Sequence, residues 1–122
     1  MAKLPIKLKT IVKTIIDKQG RDITILNLKG LTITDYFIIV TADSTTQAAG
    51  IANHLIEKMK LRGHQPLGVE GMPHNNWVLV DFGDVVVHIF LPELRDLYDI
   101  ENLWYDSQRY EADEDGNILS VN

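Results

Sequence analysis

The chain has 122 residues, a formal net charge of −5, 45% hydrophobic residues and no cysteine. This length suits one domain around a single core, and without thiols neither a disulfide framework nor a cysteine-ligated metal site is possible. The apolar runs are too short to cross a bilayer and the N-terminus lacks signal or transit character, so a cytoplasmic protein with no membrane partner is expected.

Leu4, Leu8, Ile11, Val12, Ile15 and Ile16 recur at helical spacing with lysines on the other side, which predicts an amphipathic first helix. Gly20 suits the position just past its end. Such a basic helix also suits a membrane surface or RNA, but its apolar stripe is read here as packing against a sheet. Asp22 to Leu28 predicts a first strand, broken by Lys29-Gly30. Tyr36 to Thr41 is almost wholly apolar and predicts a central strand buried on both faces. Ser44-Thr45-Thr46-Gln47 reads as a capping box opening a second helix, with Ala48, Ile51, Ala52, Leu55 and Met59 inward and Gly63 at its end. His64 to Val69 is a short third strand, and strand, helix, strand in that order favours a right-handed parallel crossover. Gly71 to Asn76 is a loop by its turn residues.

Val78 to Phe82 and Val85 to Phe90 are β-branched and aromatic runs around Gly83-Asp84, the pattern of a tight hairpin. In that register Phe82 faces Val85, Val80 faces Val87 and Val78 faces Ile89, forming an apolar core face. The opposite face carries Trp77 with Phe90, Leu79 with His88 and Asp81 with Val86. Pro92 suits the first turn of a short helix, whose apolar side is Leu94, Leu97 and Tyr98, then Ile100, Leu103 and Trp104. From Asp106 the chain is polar and acidic, and a mobile tail is expected. The fold class is therefore α/β: one domain over residues 1–105, a mixed sheet with helices packed on it, and a flexible tail over 106–122.

Charge is unevenly distributed. Lys3, Lys7, Lys9, Lys13 and Lys18 outweigh Asp17 in the first twenty residues. Between Pro66 and Tyr105 the acids Glu70, Asp81, Asp84, Glu93, Asp96, Asp99 and Glu101 face only Arg95. A surface that binds phosphates is basic. The acidic segment therefore suits a basic protein better than RNA, and little direct RNA binding is expected; a solvated acidic face kept for solubility is the plain alternative.

Several motifs recur in order. Thr34-Asp35-Tyr36-Phe37 precedes Ile38-Ile39-Val40; Ser44 and Thr45 lead to Gln47; Glu70-Gly71 precedes a loop and Trp77, which begins the run to Trp104. This series, from about Asp22 to Trp104, resembles the Iojap family, the bacterial ribosomal silencing factors. The resemblance implies a nucleotidyltransferase-like fold, with no catalysis and no cofactor. It implies binding to the large ribosomal subunit through its fourteenth protein, in the traditional numbering, at the subunit interface. Small-subunit joining would thereby be blocked and translation repressed.

On this reading the hairpin face docks on that basic protein. Trp77, Leu79 and Phe90 are assigned as apolar anchors, Asp81, Glu93 and Asp96 as partners for Arg or Lys, and His88 and Tyr98 as orienting hydrogen-bond groups. Two plainer readings stand beside it. His88 can equally be a histidine satisfied inside the fold, and the last helix can fold back over the Trp77 face, leaving its aromatics as core. Two rival classes also stand. Nucleotidyl transfer needs converging carboxylates for magnesium and a phosphate loop, often Gly-Ser; no Gly-Ser occurs, and Asp81 and Asp84 merely flank a turn. The other rival is a homodimeric interaction module that buries the aromatic face off the ribosome. No catalytic, cofactor-binding or metal-ligating residue is assigned.

Overall fold

The predicted N-terminal stripe forms α1 (Ile6–Asp17), on which Leu8, Ile11, Val12 and Ile15 are completely buried. Each contributes about 2 kcal/mol by leaving water. The structure is a computed structural model describing residues 4–121. Gln19, not Gly20, takes the left-handed position after α1, at φ 63°. Gly20 is required by close approach instead: a Cβ there would lie 2.5 Å from Ile15 Cγ2 and 2.8 Å from Val40 Cγ2.

Next come β1 (Arg21–Asn27), β2 (Tyr36–Thr41), α2 (Thr45–Leu61) and β3 (Gly68–Glu70). The predicted hairpin forms β4 (Trp77–Asp81) and β5 (Val85–Phe90), followed by short helices α3 (Pro92–Tyr98) and α4 (Ile100–Leu103). Ser44 Oγ accepts from the Gln47 backbone N–H at 3.0 Å, as a capping box requires. The Gln47 side chain reaches further back. It accepts from the Asp43 N–H at 2.6 Å and donates to the carbonyls of Lys18 and Gln19, joining the start of α2 to the end of α1. Gly63 ends α2 at φ +84°, as expected.

The sheet contradicts the expected mobile tail. Gln108–Ala112 is a strand, β6, and Ile118–Val121 another, β7. β6 pairs antiparallel with β1, and β7 with β6. Residues 106–122 therefore do not stand apart from the domain over the described positions. The reason is partly local: Asp113 accepts from the N–H groups of Asp115 and Asn117, both at 2.9 Å, closing a turn. Those hydrogen bonds pull the Asp113 carboxyl below its ordinary range. It is also tertiary, because the open edge of β1 supplies a ladder that the tail's composition does not advertise.

The sheet order is β3-β4-β5-β2-β1-β6-β7. β2 is central, antiparallel to β1 and parallel to β5, so the sheet is mixed, as predicted. β3 runs in the same direction as β2, but β5 and β4 lie between them. The crossover through α2 thus spans two strands and ends at an exposed edge. Strand alternation separates two cores. One packs Ile25, Ile38, Val40, Val78, Val80, Val87 and Ile89 against α1 and α2. The other, on the opposite face, packs Leu26, Ile39 and Phe90 against Ile100, with Leu94 and Trp104 at its margin.

Candidate functional site

The hairpin adopts the predicted register: Trp77 opposes Phe90, Leu79 opposes His88, Val80 opposes Val87 and Asp81 opposes Val86. One face is the α1/α2 core. The other carries a connected aromatic group. The Trp77 ring stacks on Phe90 at 4.8 Å between centroids and meets Tyr98 at 4.7 Å. Trp77 Nε1–H donates to His88 Nδ1 at 3.2 Å, and Phe37 from β2 stands edge-on to His88 at 4.6 Å.

This arrangement corrects part of the site as read from sequence. Phe90 is only 1% exposed and His88 only 4%. They form the floor that supports Trp77, not a surface offered to a partner. The expected open face is roofed over Phe90 by α3 and α4. Tyr98 is 51% exposed, Glu93 and Asp96 are exposed, and Trp77, Leu79 and Asp81 are half-buried. Leu97, predicted on the packed side of the last helix, is 71% exposed. Asp99 adopts a left-handed conformation at φ 44° and splits the helix in two. Leu97 consequently leaves the stripe that continues through Ile100. Sequence reasoning also passed over Phe37. Strand alternation from the buried Tyr36 was the signal that places it beside His88.

Of the seven acids of the segment, Glu70 lies exposed on β3, and the other six separate into distinct roles. Asp84 pairs with Lys7 at 2.6 Å. Asp81 Oδ1 accepts from Gly83 N–H at 2.7 Å inside the hairpin turn, so its carboxylate is partly committed to the fold. Glu101 holds Arg95 through two contacts of 3.0 and 3.1 Å and reaches Arg109 at 3.2 Å. Arg95 also donates to the Asp22 carbonyl, Thr41 Oγ1 and Thr24 Oγ1. The lone base of the acidic segment is therefore a bolt between α3 and the sheet. Among the described residues, Glu93, Asp96 and Asp99 make no ion pair. With Leu97 and Tyr98 they form an acidic, aromatic-edged strip leading to Trp77.

Burial sets the chemistry of His88. Desolvation lowers its pKa from the ordinary 6.5 to about 4, so the ring is neutral near pH 7 and accepts the Trp77 hydrogen bond at Nδ1. Between pH 6.5 and about 4 the unfolded chain takes up a proton at this position and the folded chain does not. Its contribution is complete above pH 6.5 and is lost as pH falls, by up to about 3 kcal/mol. Urea midpoints at pH 7.5 and pH 5 should therefore fall further apart in the parent than in His88→Gln. Equal pH slopes would place the acid-sensitive group elsewhere.

Among the described residues no three His, Asp or Glu side chains converge as a metal site. The chain's Asp-x-Asp, Asp113 to Asp115, lies in the β6–β7 turn, where Asp113 is held by backbone donors. No helix of the described residues is long and apolar enough to cross a membrane.

The family model described as "Ribosomal silencing factor during starvation" matches residues 2–120. A ribosomal silencing factor from Chromobacterium violaceum is 43% identical over 97 residues, covering 79% of this chain and 80% of that one. The mouse protein named for mitochondrial assembly of the ribosomal large subunit is 32% identical over 98 residues, covering 77% of this chain and 43% of its own. A crystal structure of a Chromobacterium violaceum protein superposes with a TM-score of 0.78 at 40% identity, covering 84% of this chain and 88% of that one.

Proposed function

The chain belongs to the ribosomal silencing factor family, and from that premise we propose that it represses translation by docking on the large ribosomal subunit and sterically blocking the small one. The partner is the fourteenth large-subunit protein at the joining surface. The observation that carries this reading is the strip from Glu93 to Asp99. Among the described residues its three carboxylates make no ion pair, and they flank exposed Leu97 and Tyr98 beside half-buried Trp77. Apolar anchors bordered by unpaired acids fit a basic protein surface.

The roles divide as follows. Trp77, Leu79 and Tyr98 supply contact area. Glu93 and Asp96 meet Arg or Lys. Phe90 and His88 hold Trp77 in place from beneath, and Asp81 shapes the hairpin turn beside the strip. The bulk of the domain then occupies the space needed by the small subunit. The protein acts in the cytoplasm and needs neither a cofactor nor bond chemistry.

Asp96→Lys is the cleanest probe, because Asp96 is exposed and joins no ion pair among the described residues. It should melt like the parent, co-sediment less with free large subunits and protect them less from joining. Close interfacial charge pairs are coupled by about 1.5 kcal/mol or more, so affinity should fall by roughly tenfold. Unchanged co-sedimentation would remove α3 from the interface. Equal parental binding to both subunits, or no effect on joining, would overturn the occlusion mechanism.

A further inference from the structure

We propose that the groove between α1 and the β6–β7 hairpin is a second binding site that takes a single-stranded RNA segment through its phosphate backbone. It lies on the α1/α2 side of the sheet, opposite the face covered by α3 and α4. The groove has a volume of about 860 Å³ and is lined by Leu4, Lys9, Lys13, Tyr110, Asn117 and Ser120, among others.

Lys9 and Lys13 are exposed, stand one turn apart on α1, and join no ion pair among the described residues. Side chains four apart lie about 6 Å from one another at Cβ, which places two ammonium groups along one path. The hairpin turn steadies the second. A Cβ at Gly116 would lie 3.4 Å from Lys13 Cγ and 3.8 Å from Lys13 Cε, so the bare glycine lies against the lysine stem. Tyr110 and the lysine stems give an apolar floor. Gln108 Nε2 donates to Ser120 Oγ at 2.8 Å, and its second N–H completes a set of uncharged polar groups on the hairpin. A cationic rail over an aromatic floor with neutral donors suits a sequence-tolerant single strand better than an acidic protein. The β6–β7 turn carries three acids, Asp113, Glu114 and Asp115; Asp115 alone of them lines the groove, and Asp113 is turned to the backbone donors of its own turn.

Segment charges in the sequence favoured little RNA contact because the acidic stretch dominates the total. The fold changes that balance by placing the basic helix and the acidic strip on opposite faces of the sheet. The proposal does not rest on large-subunit docking and is tested without ribosomes. A fluorescein-labelled oligouridine is titrated with the full chain and followed by anisotropy. Two phosphate contacts predict a log–log salt slope of about −1.4. Lys9→Glu with Lys13→Glu should weaken binding by at least about tenfold, whereas the double arginine variant should retain it. A control reversal at Lys58 and Lys60, exposed on α2, should leave binding unchanged. Absence of binding, equal loss in the control, or binding to anionic lipid vesicles but not to RNA would each overturn the proposal.

Discussion

Val87→Asp should abolish the folded state. Val87 has no exposed surface, opposes Val80 across the hairpin and Ile38 across the parallel pair, and lies inside the core beneath α2. The substitution removes about 2 kcal/mol of apolar burial. It also places a carboxylate where no donor waits, at a further cost of several kcal/mol. The sum is comparable with the whole stability of a small domain, about 5–15 kcal/mol. The expected product is insoluble, or soluble without a cooperative melt. Leu79→Asp is the internal control: Leu79 is half-buried on the other face of the same hairpin, so that variant should fold. If Val87→Asp melted like the parent, the hairpin register would be displaced by one residue.

The second large effect is expected at Glu101, which sequence reasoning counted merely as one acid among seven. Its carboxylate bridges Arg95 and Arg109, and the Arg95 and Glu101 side chains are only 12% and 16% exposed. Breaking a pair this deep leaves an uncompensated guanidinium, at about 3–5 kcal/mol. Glu101→Ala should fall near the lower end, because Arg95 keeps the Asp22 carbonyl and two threonine hydroxyls as acceptors. A loss of about 3 kcal/mol corresponds to a Tm drop of roughly 10 °C in a domain of this size. Arg95→Met combined with Glu101→Leu should recover much of it, since an apolar pair of similar volume is often as stable as a buried ion pair. An unaltered Tm in Glu101→Ala would show that α4 and β6 are held by apolar contacts alone.

Together these sites show how a folded scaffold presents the strip. Val87 and its neighbours keep the hairpin flat on the α2 side. Arg95 and Glu101 then fasten α3 and α4 to the reverse side, where Phe90 and His88 lie beneath Trp77.

Much of this was legible from local pattern. Period-two alternation and the Gly83-Asp84 turn determined the hairpin register, because a one-residue slip would turn every valine of the core toward the other face. The apolar density of Tyr36 to Thr41 determined that β2 is central. The helical stripe determined α1, and the order of motifs from Asp22 to Trp104 determined the family. Tertiary structure alone decided the rest. β6 and β7 formed because an open strand edge at β1 recruited a polar segment whose composition reads as disorder. His88 and Phe90 became a floor because α3 and α4 fold back, held by an arginine three of whose four acceptor residues, Asp22, Thr24 and Thr41, lie on β1 and β2. The free acids were separated from the structural ones by pairing partners such as Lys7, 77 residues from Asp84, and Arg109, on a strand whose composition reads as tail. Periodicity reports which side of an element is apolar. It does not report what covers the other side, because that depends on long-range contacts with no local signature.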